Sequence, residues 1–195
     1  MTTYEGHAHK PRRREKRPAR PLDEARLEEL ALAYVARFST SAGKLEAYLK
    51  RKLRERGWDG SSDPAPAGIV ARYVDLGYVD DAGYARARAG GLLRRGYGQR
   101  RIEQALYAAG IAEEIRDEVK PSEGRQRRAA LALGRKRRFG PFAAERPDRA
   151  MREKQIAAML RAGHAFDIAR QLVDAPSELV AEQWAAEAMD GEELE

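Results

Sequence analysis

Three glycines, Gly57, Gly110 and Gly163, stand 53 residues apart, and each closes a basic amphipathic segment: KLEAYLKRKLRERGW, RRIEQALYAAGI and KQIAAMLRAGH. In the first two segments leucine or isoleucine sits eight and four residues before the glycine (Leu49 and Leu53, Ile102 and Leu106). The third keeps Met159 four before, with Ile156 and Leu160 beside it. One helix and one stop signal, used three times, imply a single supersecondary unit repeated three times. Arrays of that kind bind extended partners along one face. Each unit reads as helix, basic turn, helix, glycine stop, helix. The expected units span residues 22–78, 79–121 and 122–174. The expected fold is an all-α tandem array of three three-helix repeats, elongated and curved, with an extra C-terminal helix. No unit carries enough apolar surface to close a core alone, so stacking is expected to bury a continuous one.

The apolar residues fit this. They make up 43% of the chain, they are mostly alanine and leucine, and β-branched residues are sparse, which favours helix. The stripe Leu27, Leu30, Ala31, Tyr34, Val35, Phe38 has the helical period and follows Asp23, a good N-cap. Leu45, Tyr48, Leu49 and Leu53 form the next stripe. Asp63-Pro64 is expected to open the third helix as N-cap and N1, with Ile69, Val70, Tyr73 and Val74 facing inward. Asp80-Asp81 caps the second unit. Gly90-Gly91 weakens its first helix by roughly 1 kcal/mol per glycine, and a tight helix contact is expected there in compensation. Ile102 and Leu106 are core. The third unit draws on Ala129, Ala130, Leu131 and Leu133, then Met151, Ile156, Met159 and Leu160. His164 is expected at the helix turn after Gly163.

Charge is uneven. The net charge is +6, but residues 1–21 carry +5 and residues 175–195 carry −7, leaving a basic body between a basic arm, expected to be disordered, and an acidic C-terminal helix. In that helix Leu179, Val180 and Trp184 are expected to dock on the third unit as a cap, the alternative being that the acidic helix shields part of the basic face when no partner is bound. Such a body suits a polyanionic or acidic partner. The chain has no cysteine and three histidines, two of them in the basic arm, so no disulfide framework, metal or cofactor is expected. No apolar run approaches the roughly 18 residues of a membrane span, and no signal-peptide core is seen. A cytoplasmic monomer with no membrane partner is expected.

Catalysis is not expected either. Gly96-Tyr97-Gly98-Gln99-Arg100-Arg101 lacks the third glycine, the preceding strand and the Lys-Ser/Thr of a phosphate loop, and reads as a helix-to-helix turn. No nucleophile–base pair and no paired acids in a cleft are evident. The arginines say more. Arg51 and Arg54 share one side of the first unit's middle helix, Arg94, Arg95, Arg100 and Arg101 flank one turn around Tyr97, and Arg137 and Arg138 cluster in the third unit. Stacking is expected to align these turns into a basic ridge or groove that suits phosphates or an acidic protein face.

The stretch GYVDDAGYARARAGGLLRRGYGQRRIEQALYAAGI, residues 77–111, resembles the regulatory protein RecX family. The resemblance rests on Gly77, Asp80, Asp81, Tyr84, Ala85, Gly98, Arg101, Ile102, Leu106, Gly110 and Ile111. The first unit agrees through Arg37, Ser41, Leu45, Leu49, Leu53 and Gly57, and the third more loosely through Arg161, Gly163 and Phe166-Asp167-Ile168. The chain departs from the family pattern at Leu92 and Gln99, where arginine and proline are common. The resemblance implies tandem three-helix repeats and binding to the RecA recombinase as a filament on single-stranded DNA. It also implies modulation, usually inhibition, of recombination and ATP turnover, with weak direct DNA binding. Two other functions fit the residues: a direct nucleic-acid binder with helix-turn-helix-like units, and a helical scaffold for an acidic protein.

Overall fold

The computed structural model describes residues 20–190, with residues 189 and 190 described by backbone alone. Most of the basic arm and the end of the acidic segment, residues 191–195, lie outside that range. The described residues are all-α, as expected. Three helices, α1 (Glu24–Val35), α2 (Ala42–Arg56) and α3 (Pro66–Asp75), are followed by α4 (Asp81–Arg94), α5 (Gln99–Tyr107) and α6 (Glu113–Glu118). A third set, α7 (Glu123–Arg137), α8 (Arg149–Arg161) and α9 (Phe166–Asp174), has a 3-10 turn at Gly140–Phe142 between its first two members, and α10 (Glu178–Asp190) ends the described chain.

Side-chain caps set many of the starts. Asp23, Ser41, Asp80, Ser122 and Asp148 each accept the amide of the residue three positions on, satisfying one of the free donors of a helix N-terminus. The start of α3 differs from expectation. Asp63-Pro64 stays in the loop, and Pro66 takes the first helical position with no side-chain cap. Gly57, Gly77, Gly96, Gly110 and Gly163 all have positive φ, the backbone state that ends a helix at least cost in glycine.

Each helix set closes a core of its own, contrary to the expectation of one continuous core. Leu22, Leu27, Leu45, Leu49, Val70, Tyr73 and Val79 form the first. Ala85, Ala89, Leu92, Ile102, Leu106 and Ile111 form the second. Leu131, Leu133, Ile156, Met159, Leu172 and Val173 belong to the third. The stripes run longer than the burial: Phe38, Val74 and Met151 are exposed. Phe38 lies past the end of α1, where the helical period no longer applies.

The joints between sets are polar and glycine-tight instead. At the first joint the start of α2 meets the end of α5. Ser41 Oγ donates to the Ala109 carbonyl at 2.6 Å, and the Ala42 amide donates to Asp81 Oδ1 at 2.8 Å. A Cβ on Gly43 would lie 2.9 Å from the Ala109 oxygen and from Gly110 Cα. At the second joint the start of α5 meets the end of α8. The Gly98 amide donates to the Ala162 carbonyl at 3.0 Å and the Arg100 amide to Gly163 at 3.1 Å. A helix leaves its first amides and last carbonyls without internal partners, and here the orphan donors of α5 meet the orphan acceptors of α8. The three middle helices therefore run head to tail, α8 to α5 to α2, with their dipoles in the favourable sense. The Gly57 carbonyl, at the open end of this series, accepts the Leu22 amide at 3.0 Å.

The C-terminal helix caps the third core as expected, through Trp184 but not through Leu179 and Val180. Leu179 and Val180 are exposed, while Ala181 and Ala185 are buried against α7. Trp184 Nε1 donates to Gln171 Oε1 at 2.6 Å. Arg127 donates to the Trp184 carbonyl at 2.8 Å and lies over its ring, and Arg135 pairs with Glu182. Deleting residues 175–195 is expected to lower the thermal midpoint by several degrees and to favour aggregation, because it uncovers this apolar face. A melt of the truncated chain at the wild-type temperature would contradict that.

Candidate binding interface

The eight arginines singled out in the sequence are all exposed, and the structure gathers only some of them. Arg95 and Arg137 line one cleft between the second and third helix sets. Lys136, Arg161, Tyr97 and Phe139 line it too, and its volume is about 270 Å³. Four cations thus surround two half-buried aromatic rings. Arg95 is held in place by donating from Nε to the Gly91 carbonyl at 2.9 Å. Arg137 also lines a neighbouring hollow with Arg138 and Arg146. Arg138 takes φ 56° and ψ 52° at the end of α7, a left-handed state that disfavours side chains bearing a Cβ.

Arg94 points elsewhere, into a groove between α4 and α7 of about 570 Å³ shared with Arg86, Lys120, Arg125 and Arg128. Arg100 and Arg101 stand in the first turn of α5, at the second joint. Arg51 and Arg54 lie on α2, outside both clefts, and Arg51 is engaged by Glu55 at 3.5 Å and by the Tyr48 ring. The aligned basic surface is thus realised between the second and third sets and does not draw in α2. In the sequence Lys136 stands in the basic run 135–138, and Arg161 is one of the positions that carry the family resemblance. Their membership of the cleft depends on how the sets dock.

Gly90 and Gly91 do not serve a tight helix contact. A Cβ on Gly90 would meet only the tip of Arg94 at 3.4 Å, and one on Gly91 only the tip of Arg95 at 3.9 Å. Close approaches between the sets fall instead at Gly43, Gly96, Gly98, Gly110 and Gly163, and the helical Gly134 packs against Leu172.

His164, expected at a helix turn, is buried in the second joint with 1% of its surface exposed. Its Nε2 lies 3.0 Å from the Gly96 carbonyl. That oxygen can only accept, so Nε2 carries the proton, and Nδ1 is left buried without a partner. Burial lowers the pKa below the ordinary 6.5, against a smaller opposing effect of the Gly96 contact. The unfolded chain therefore takes up this proton first as pH falls. The stability His164 contributes is full above about pH 6.5 and is lost as pH drops through the lowered folded value. The thermal midpoint is expected to fall between pH 7.5 and 5 more steeply in the wild type than in His164→Gln. Parallel pH profiles would contradict this.

Among the described residues no group of His, Cys, Asp and Glu could hold a metal ion, and no helix is long and apolar enough to cross a membrane. Comparison with known proteins agrees with the all-α fold. The family model described as RecX, second three-helix domain, matches residues 80–119, which cover α4 to α6. The chain is 30% identical over 174 residues to the regulatory protein RecX of Myxococcus xanthus, covering 84% of this chain and 93% of that one. It is 37% identical over 107 residues to a regulatory protein RecX of Thermus thermophilus, covering 55% and 71%. The crystal structure of RecX from Lactobacillus salivarius shares the fold at a TM-score of 0.59 and 18% identity, over 82% of this chain and 94% of that one. The chain belongs to the RecX family of regulatory proteins.

Proposed function

We propose that this RecX-family chain regulates the RecA recombinase by binding its filament on single-stranded DNA, and that it slows recombination and ATP turnover without chemistry of its own. The observation that carries the proposal is the cleft of Arg95, Lys136, Arg137 and Arg161 around Tyr97 and Phe139. Cations clustered in one cleft attract a phosphate backbone or an acidic protein surface, and an aromatic ring beside them offers a stacking face for an unpaired base. Arg100 and Arg101 extend the basic surface along α5, Arg138 flanks it through the neighbouring hollow, and Arg51 and Arg54 supply a separate contact at the far end, while Arg94 faces the separate groove between α4 and α7. Three helix sets in series suit a partner that itself repeats along an axis. Binding across neighbouring protomers would obstruct filament extension or strand exchange.

The experiment is capture of purified RecA by the immobilised chain, with and without single-stranded DNA. Capture that is stronger with DNA supports filament recognition. Retention of DNA alone with no RecA favours the direct nucleic-acid binder, for which the basic arm is the main support. Equal capture with and without DNA favours the scaffold.

A further inference from the structure

We infer that the groove between α4 and α7 is a docking site for an acidic protein segment carrying small apolar side chains, distinct from the cleft assigned above to the filament. Its floor is built from Ala89, Gly90, Ala129 and Ala132, with the larger Leu93 and Val119 beside them, and the small residues leave the space between the two helices open. Around that floor stand Arg86, Arg94, Lys120 and Arg125, all exposed. Arg86, Gly90 and Arg94 are one turn apart on α4 and so share a face. Glu118 is the one acid in the lining.

Two features point to a partner outside the fold. Several surface cations elsewhere are matched within the fold: Lys50 with Glu46, Arg72 with Glu28, Arg149 with Glu153 and Arg152 with Asp174. Among the described residues, the side chains of Arg86, Arg94, Lys120 and Arg125 make no such ion pair. Gly90, in turn, costs helix stability with no packing return inside the chain, since a Cβ there meets only the tip of Arg94. A glycine in an open groove floor lets another backbone come close. The apolar floor separates this site from a phosphate site, because a phosphodiester backbone gains nothing from alanine and glycine. An acidic segment with alternating small apolar residues satisfies both floor and rim.

The probe is a fluorescein-labelled peptide repeating Glu-Leu-Glu-Ala, with a control repeating Glu-Ser-Glu-Ser, titrated with the full chain by anisotropy. The Glu-Leu-Glu-Ala peptide is expected to bind at least about tenfold more tightly than the control, a difference of ~1.4 kcal/mol. Gly90→Leu, which fills the floor with a better helix former, is expected to abolish that preference, and Arg125→Glu, on the exposed rim, is expected to weaken binding of both peptides. Unchanged single-stranded DNA affinity in Gly90→Leu is expected and keeps this test separate from the filament proposal. Equal binding of the two peptides, binding indifferent to both substitutions, or displacement of the peptide by single-stranded DNA as readily as by unlabelled peptide would each overturn it. So would self-association of the wild type, lost in Gly90→Leu, with no peptide bound. Circular dichroism of each variant checks that helix content is kept, and either variant alone suffices to decide.

Discussion

Gly98→Ala is expected to be the most damaging single-methyl change in the molecule. Gly98 has φ −83° and ψ 174°, a backbone open to any residue, so strain is not the cause. The cause is that the added Cβ would sit 2.4 Å from the carbon and oxygen of Gly163 and from the His164 amide. Those are backbone atoms held by the pairings of Gly98 with Ala162 and of Arg100 with Gly163. They cannot swing aside as a side-chain tip can, so the joint must open. Overpacking costs about 1–3 kcal/mol, and losing the pairing of two helix ends adds to it. We expect about 3 kcal/mol, or roughly 6–12 °C in the thermal midpoint for a chain of this size. The third set, with its own core, would then separate from the second before either melts. Gly68→Ala is the control. It lies in α3 with no atom nearer than 4.0 Å to the new Cβ, and is expected to hold or raise the midpoint. Equal midpoints for Gly98→Ala and wild type, by circular dichroism at matched heating rates, would refute the head-to-tail joint.

The second large effect concerns the cleft. Arg95→Glu combined with Arg137→Glu is expected to weaken binding to the RecA filament on single-stranded DNA by about 100-fold at low salt, roughly 1.4 kcal/mol for each reversed charge. The dependence of log affinity on log salt is expected to become shallower by about two, one for each lost phosphate contact. The fold should be unaffected, because both side chains are exposed and neither makes an ion pair among the described residues. Arg100→Glu with Arg101→Glu should weaken binding less. Those side chains are exposed too, and the Arg100 pairing to Gly163 is made by its backbone amide, which survives the substitution. An unchanged affinity in the first pair, with an intact melt, would remove the cleft from the interface.

What could be read before the structure divides along a physical line. Helix type, most stripes and most caps depend on residues within a few positions of one another. Leu45, Leu49, Ile102 and Leu106 accordingly turned out buried, and Asp23, Ser41 and Asp80 turned out as caps. The joints could not be read, because their residues already had local explanations. Gly110 and Gly163 were accounted for as helix stops, Asp81 as a capping residue and His164 as part of a turn. Yet each also touches a neighbouring set: Gly110 against Gly43 and Gly163 against Arg101, Asp81 against the Ala42 amide and His164 against Gly96. The same limit applies to the arginines. Their exposure follows from helix phase, but the meeting of Arg95 with Arg137 and Arg161 is set by how the second set docks on the third. Val74 and Met151 show the opposite error, since an apolar residue in phase with a stripe stays exposed where no neighbour covers it.

The central proposal is that this chain restrains RecA through its filament. The direct measurement is ATP turnover and strand exchange by purified RecA on single-stranded DNA, with this chain titrated from substoichiometric to equimolar amounts. Both rates are expected to fall at substoichiometric chain, and Arg95→Glu with Arg137→Glu is expected to restore them. Rates that stay at the RecA-only level with equimolar chain present would contradict the proposal.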